Sequence, residues 1–203
     1  MTTSPSACNV CEPPALEALV RTEPALAALW QALPRRQFGA GVLLQHAGET
    51  STRCWHLRSG LVRLFYLNEQ GTERNRSFHG AGKWVAGSLP PLALPSPYAI
   101  EALGPVDAVE LDYSTLQDWM GVFPQIGPPL QEALGYVFQS HARREAELLS
   151  HPPEARYQAF LASHAELASQ LPQHHVASYL GISPVSLSRI RARLGMVDAA
   201  RGG

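Results

Sequence analysis

Between residues 38 and 111 the apolar residues come in short runs, each closed by a turn signal, and that punctuation confines this part of the chain to strands. The runs cover residues 42–44, 54–57, 61–67, 74–78, 98–103 and 106–111. Ala47-Gly48-Glu49, Arg58-Ser59-Gly60, Asn68-Glu69-Gln70-Gly71 and Gly104-Pro105 lie between them, each offering Gly where a positive φ or a tight reversal is needed. In the run 61–67 both alternating sets contain apolar residues, so this strand is expected between two apolar surfaces. The expectation is an all-β barrel or sandwich.

After residue 111 the period lengthens to that of a helix. Ser114 is placed to cap a helix over 116–122, and a long helix is expected over about 126–149. In the long helix Leu130, Leu134, Val137, His141, Arg144 and Leu148 recur at alternating steps of four and three, which lays a seam along one face. The seam either pairs with a second copy of the chain or packs on the strands, and the dimer is the sharper reading. His151-Pro152-Pro153 then breaks the helix and serves as a linker. On the amino-terminal side, residues 1–13 show no period and read as a disordered start, and one or two short helices interrupted by Pro24 are expected over 15–33.

With 203 residues, 45% hydrophobic and 16% charged, the chain has the apolar material for a core and the length for two domains. No stretch approaches the roughly 20 apolar residues of a membrane span, and the polar, acidic start lacks the pattern of a signal peptide, so a cytoplasmic location is expected. Three cysteines exclude a disulfide scaffold. The Cys8/Cys11 spacing suits a metal, redox work or neither, and Cys54 falls in a strand.

Net charge is −1, yet residues 172–197 contain no acid and carry Arg189, Arg191 and Arg193. That is a local footprint for phosphate. The same stretch meets the demands of a helix-turn-helix: Ala177 is small where two helices cross, and Gly181 follows four residues later. Val176, Leu180, Ile182, Leu187 and Ile190 supply the clamp. Ser183 is placed to cap the second of these helices, with Pro184 at its first position. A preceding helix over 153–164 presents Tyr157, Phe160 and Leu161 on one face.

With Leu187, Ile190 and Leu194 inward, the outward set is Val185, Ser186, Ser188, Arg189, Arg191 and Arg193. Arginine grips guanine bidentately, and valine packs on a thymine methyl. Arg189 is therefore the expected principal base reader, with Val185 and Ser186 beside it. Gln173, Ser183, Ser188, Arg191 and Arg193 are the expected phosphate contacts.

This order of elements resembles the Crp/Fnr regulators. Gly41-Val42-Leu43-Leu44 to Gly48-Glu49 resembles the family's opening roll, and the run from Trp55-His56-Leu57-Arg58-Ser59-Gly60 to Tyr66-Leu67 resembles its central hairpin. The run from Val176-Ala177-Ser178 through Gly181-Ile182-Ser183 to Ile190-Arg191 resembles the helix-turn-helix of its short members. The resemblance implies an α+β chain. Residues 1–34 would form a tail and short helices, 35–125 a jelly-roll-like β-roll sensor (a double-stranded β-helix), 126–150 a dimerisation helix, and 151–203 the DNA-binding domain. It further implies a homodimer joined through Leu130, Leu134, Val137, His141 and Leu148. That dimer would read an inverted-repeat promoter site in double-stranded DNA and act on RNA polymerase.

Three departures qualify this. Cyclic-AMP-binding members hold phosphate on a Gly-Glu-Leu turn followed by an Arg-Ser or Arg-Thr pair, whereas no arginine lies between Arg76 and Arg143 here. Tight cyclic AMP binding is not expected, and Lys83, Trp84 and Tyr98 either line a site for another small effector or are packed shut. A four-thiolate iron–sulfur cluster needs one more cysteine than the chain has. His46, His56 or His79 would complete a mixed site, which no spacing demands, and neither a metal nor a cofactor is expected. Residues 195–203 are too few for a β-hairpin wing.

No enzyme is expected. Gly80-Ala81-Gly82-Lys83 imitates a phosphate loop but has Ser77 and Trp84 at two required positions, and no Gly-x-Ser-x-Gly elbow occurs. The competing reading is a ligand-binding or interaction module of the same roll fold whose helix-turn-helix no longer reads DNA.

Overall fold

The period-two alternation places alternate side chains of three strands of one sheet in two different cores. The structure, a computed structural model, describes residues 15–196, so Cys8 and Cys11 lie outside the described residues. Its strands are β1 (Arg35–Phe38), β2 (Leu43–Gln45), β3 (Arg53–Ser59), β4 (Val62–Leu67), β5 (Glu73–His79), β6 (Trp84–Ala86), β7 (Ala99–Ala102) and β8 (Val106–Asp112). They form two antiparallel four-stranded sheets, ordered β1-β8-β3-β6 and β2-β7-β4-β5. Trp55 and Leu57 of β3 and Val85 of β6 meet Val62, Leu64, Ile100 and Ala102 of the other sheet in one buried cluster. The intervening residues of the first sheet, Cys54 and Leu111, point the other way. They join Leu26 of α2 (Pro24–Gln31) and Tyr113, Leu116 and Trp119 of α3 (Tyr113–Val122) in a second cluster, with Leu16 and Leu19 of α1 (Ala15–Thr22) against it.

Each expected run carries a strand, and β1 and β6 are additions. The reading of residues 61–67 as apolar on both sides needs correction. Arg63 is buried, and it is held by Glu101 and by Glu73 at 2.6 Å, with its guanidinium 4.1 Å from the Phe65 ring centroid. One face of β4 is thus an ion-paired layer, while Tyr66 and Leu67 are exposed.

A single 3₁₀ turn (Pro124–Ile126) leads into α4 (Gly127–Ser150), 24 residues of which none is buried within one chain. Leu130 packs against the second cluster, Leu134 and Val137 are half-buried, and His141 and Leu148 are exposed. Phe138, not part of the expected seam, is 70% exposed.

The chain divides into two compact units inside α4, between His141 and Ala142. Pro152, in extended conformation, ends the long helix, and Pro153 opens α5 (Pro153–Ser163) at a position where its missing N–H costs no hydrogen bond. There follow α6 (Ala165–Ala168), α7 (Gln173–Leu180) and α8 (Pro184–Arg193). Tyr157, Phe160, Leu171, Val176, Ala177, Leu180, Leu187 and Ile190 are buried in this unit, while Leu161 is half-buried.

Candidate functional site

The turn between α7 and α8 is built as its residue types require. Ala177 is fully buried, and Gly181 takes a left-handed conformation (φ +69°). Gly181 donates to the Ser178 carbonyl at 3.2 Å, and Ile182 donates to that of Ala177 at 3.0 Å, which ends α7 with its carbonyls paired. Ser183 caps α8, its Oγ accepting from the Ser186 amide at 3.1 Å.

That cap and the buried Leu187 and Ile190 fix which face of α8 turns outward. Val185 is 61% exposed, and Ser188, Arg189 and Arg193 are also exposed. Ser186 is half-buried beside Ser183, with their hydroxyls 2.9 Å apart. Gln173, the first residue of α7, is exposed. Ser186, Arg189 and Arg193 share an open groove of about 580 Å³ with Pro152, Glu154 and Gln158. Arg193 forms an exposed ion pair with Glu154 at 2.8 Å.

The outward placing of Arg191 is corrected. Its Nη1 donates to the Tyr157 hydroxyl at 3.0 Å, and the side chain is half-buried. A helix turns about 100° per residue, so positions 189 and 191 cannot share a face, whereas 189 and 193 do.

Behind this face lies an arrangement that sequence reading missed. The Arg144 guanidinium stands 3.8 Å from the Tyr179 ring centroid, donates to the Tyr179 carbonyl and pairs with Glu147 at 3.3 Å. His164 stacks on Phe160 (4.9 Å) and meets Tyr179 edge-on (5.7 Å). Burial holds the His164 pKa below its ordinary range. Arg144, expected in the seam, thus ties the end of α4 to α7. The heptad position gave no hint of this.

In the other unit the three expected effector residues do not converge. The Trp84 side chain packs on the second cluster, its ring 5.6 Å from Trp30 and 5.2 Å from His56. Tyr98 packs instead against the inter-sheet cluster, and its hydroxyl donates to the Ala86 carbonyl at 2.8 Å. Lys83 is half-buried, and its carbonyl accepts from Leu57 at 2.9 Å.

The loop after β6 is closed on itself. Ser88 Oγ donates to the Leu92 carbonyl at 2.7 Å, Ser96 Oγ to that of Tyr98 at 2.6 Å, and Gly87 donates to Ser51 Oγ at 3.2 Å. With its hydroxyls engaged internally and no arginine within it, this loop does not fit a cyclic phosphate. Burial, with Asp112 nearby, pushes the Cys54 thiol far above the ordinary range, and its Sγ lies 3.5 Å from the Leu111 carbonyl. Among the described residues no group of three His, Cys, Asp or Glu is placed to hold a metal ion. No helix among them is long and apolar enough to cross a membrane.

Residues 35–121 match the cyclic nucleotide-binding domain family. The chain is 24% identical over 170 residues to the anaerobic regulatory protein of Haemophilus influenzae, a match covering 77% of this chain and 66% of that protein. The chain therefore spans just under two-thirds of that relative's length. Its fold is similar to that of the c-di-GMP-responsive global regulator CLP of Xanthomonas campestris, with a TM-score of 0.71 and 16% identity over 88% of this chain and 95% of the other. A CooA mutant from Carboxydothermus hydrogenoformans aligns with a TM-score of 0.72 and 15% identity over 97% and 91% of the two chains. Residues 35–121 are thus similar to the cyclic nucleotide-binding domain family, and the chain as a whole shares the fold of the CLP and CooA structures.

Proposed function

We propose that the chain is a dimeric, sequence-specific DNA-binding transcriptional regulator that responds to an effector other than cyclic AMP. The observation carrying this reading is the outward face of α8, where Val185, Ser188 and Arg189 project from a capped helix clamped on α7. A helix presented in this way fits the major groove, which at roughly 12 Å wide admits one helix. Arg189 reads a guanine, with Val185 and Ser186 beside it. Gln173, Ser183, Ser188 and Arg193 reach phosphates, and Arg191 supports the helix through Tyr157. The relatives are transcription regulators, which supports a cytoplasmic role on promoters with RNA polymerase as a further partner and supports no enzymatic one.

Selection of genomic fragments with the purified protein, at fixed moderate salt, tests the reading. An inverted-repeat motif is expected, and Arg189→Ala should relax preference at one base per half-site by about 1–3 kcal/mol. Salt-sensitive binding without a motif, unchanged in that variant, would defeat it.

The dimer rests on α4, a 24-residue helix that has no fully buried residue within one chain and exposes Phe138, Leu148 and Leu149. Phe138, one position from the expected seam residue Val137, is the strongest apolar anchor there. Phe138→Ala should weaken self-association by at least about tenfold in sedimentation, since a buried aromatic is lost from each protomer. An unchanged dimer constant would move the seam elsewhere. Two α8 helices held about 34 Å apart would reach successive major grooves, and an effector would act by changing that separation.

A further inference from the structure

Residues 172–197 contain no acid, yet the fold brings a carboxylate against them from outside that stretch. Glu154, in the first turn of α5, lines the open groove together with Ser186, Arg189 and Arg193 of α8. Among the described residues lining this groove it is the one acid. Its Oε2 stands 2.8 Å from Arg193 Nη2, whereas Arg189, in the same groove, has no carboxylate partner among the described residues. Of the two arginines on this face, the one assigned to a base is unpaired and the one assigned to phosphate is already neutralised.

Each charge suits its own helix. An acid in a first turn and an arginine in a last turn both complement the helix dipole, and Arg193 is the last residue of α8. Those local reasons do not require the two to meet across the face turned towards DNA. Their side chains stay 65% and 41% exposed, so water screens the attraction and the contact is weak enough to exchange for another anion. Duplex DNA, with one phosphate charge per about 1.7 Å of its axis, is a far denser source of negative charge.

We propose that Glu154 is an internal counter-anion that holds Arg193 in the free protein and competes with DNA phosphate for it, so that α5 limits the sequence-independent part of the affinity. This deepens the reading of α8 as a DNA-binding helix and rests on it. When phosphate takes Arg193, the ion pair is lost and the Glu154 carboxylate is left facing the DNA backbone. Added salt screens that repulsion.

Phosphate contacts form on any sequence, so a random-sequence duplex serves as the probe. Fluorescence anisotropy with the full chain should show Glu154→Gln binding severalfold more tightly than the parent at low salt, with the gain shrinking as salt rises. Arg193→Gln should bind more weakly than the parent. Adding Glu154→Gln to Arg193→Gln should return a smaller gain, because only the general repulsion between carboxylate and phosphate remains to be relieved. All these variants change partly exposed side chains and should melt close to the parent. Unchanged or weaker binding by Glu154→Gln, or an equal gain in both backgrounds, overturns the counter-anion. Genomic selection run in parallel keeps the two questions apart. A recovered motif without the Glu154→Gln gain removes the counter-anion and leaves the regulator, whereas an Arg193-dependent gain without a motif supports the counter-anion and removes sequence-specific reading. If neither the parent nor Glu154→Gln binds duplex DNA, both fall.

Discussion

Leu187→Ala is expected to unfold the helix-turn-helix unit near physiological temperature and to abolish DNA binding. Leu187 is fully buried at the contact of α8 with α7, and truncating such a residue costs about 2–5 kcal/mol through lost transfer energy and the cavity left behind. A unit the size of residues 142–196 has a total stability of roughly 3–8 kcal/mol. One truncation therefore removes a large share of it. Urea unfolding followed by circular dichroism should show the helical transition moved to much lower denaturant, and Arg189→Ala, exposed on the same helix, should leave it in place. If both variants melted like the parent chain, Leu187 would not be part of the clamp and the helix-turn-helix geometry would be misread.

The two substitutions separate what a sequence can state about such a helix from what it cannot. Ser183, Pro184 and Gly181 are local signals that act through neighbours no more than five residues away, and the period of Leu187 and Ile190 marks which face of α8 is buried. The partner of Arg191 is Tyr157, 34 residues earlier, and no local period announces it. Spacing alone could have excluded Arg191 from the face of Arg189, because alternation by two marks the side of a strand and not of a helix.

The same limit applied to the roll. Turn glycines revealed six strands, but β1 reads Arg-Arg-Gln-Phe and pairs on one side only, so it carried no apolar alternation. β6 spans three residues, too few to show a period. Trp84 and Val85 must face opposite ways in a strand, yet only the packing of Trp84 against Trp30 decides which of them faces the helices. Nothing within residues 61–67 showed that Arg63 is ion-paired, because its partners, Glu73 and Glu101, come from two other strands. On α4 the heptad count included Arg144, which is held against Tyr179 of α7, and passed over Phe138, which is exposed.

Gly60→Ala should damage the roll more than any other single methyl group added at a turn. Gly60 joins β3 to β4 at φ +91°, and a Cβ there would lie 2.3 Å from the Pro105 carbonyl oxygen and 2.8 Å from the Val106 Cα. Both are backbone atoms, so no side-chain rotation relieves the collision; the hairpin or β8 has to move. Gly71 provides the control, since it has a similar φ of +75° and nothing within 4 Å of the added carbon. Gly71→Ala should cost only the backbone term, about 1–2 kcal/mol. Gly60→Ala carries that term and the displacement of β8, whose Val106 and Ala108 lie in the inter-sheet core, and a loss of about 3 kcal/mol or more is expected. Comparison of the two midpoints in urea isolates the collision. Equal losses would mean that the turn moves freely away from Pro105, and that the β3–β4 hairpin is not fixed against β8 as the structure has it.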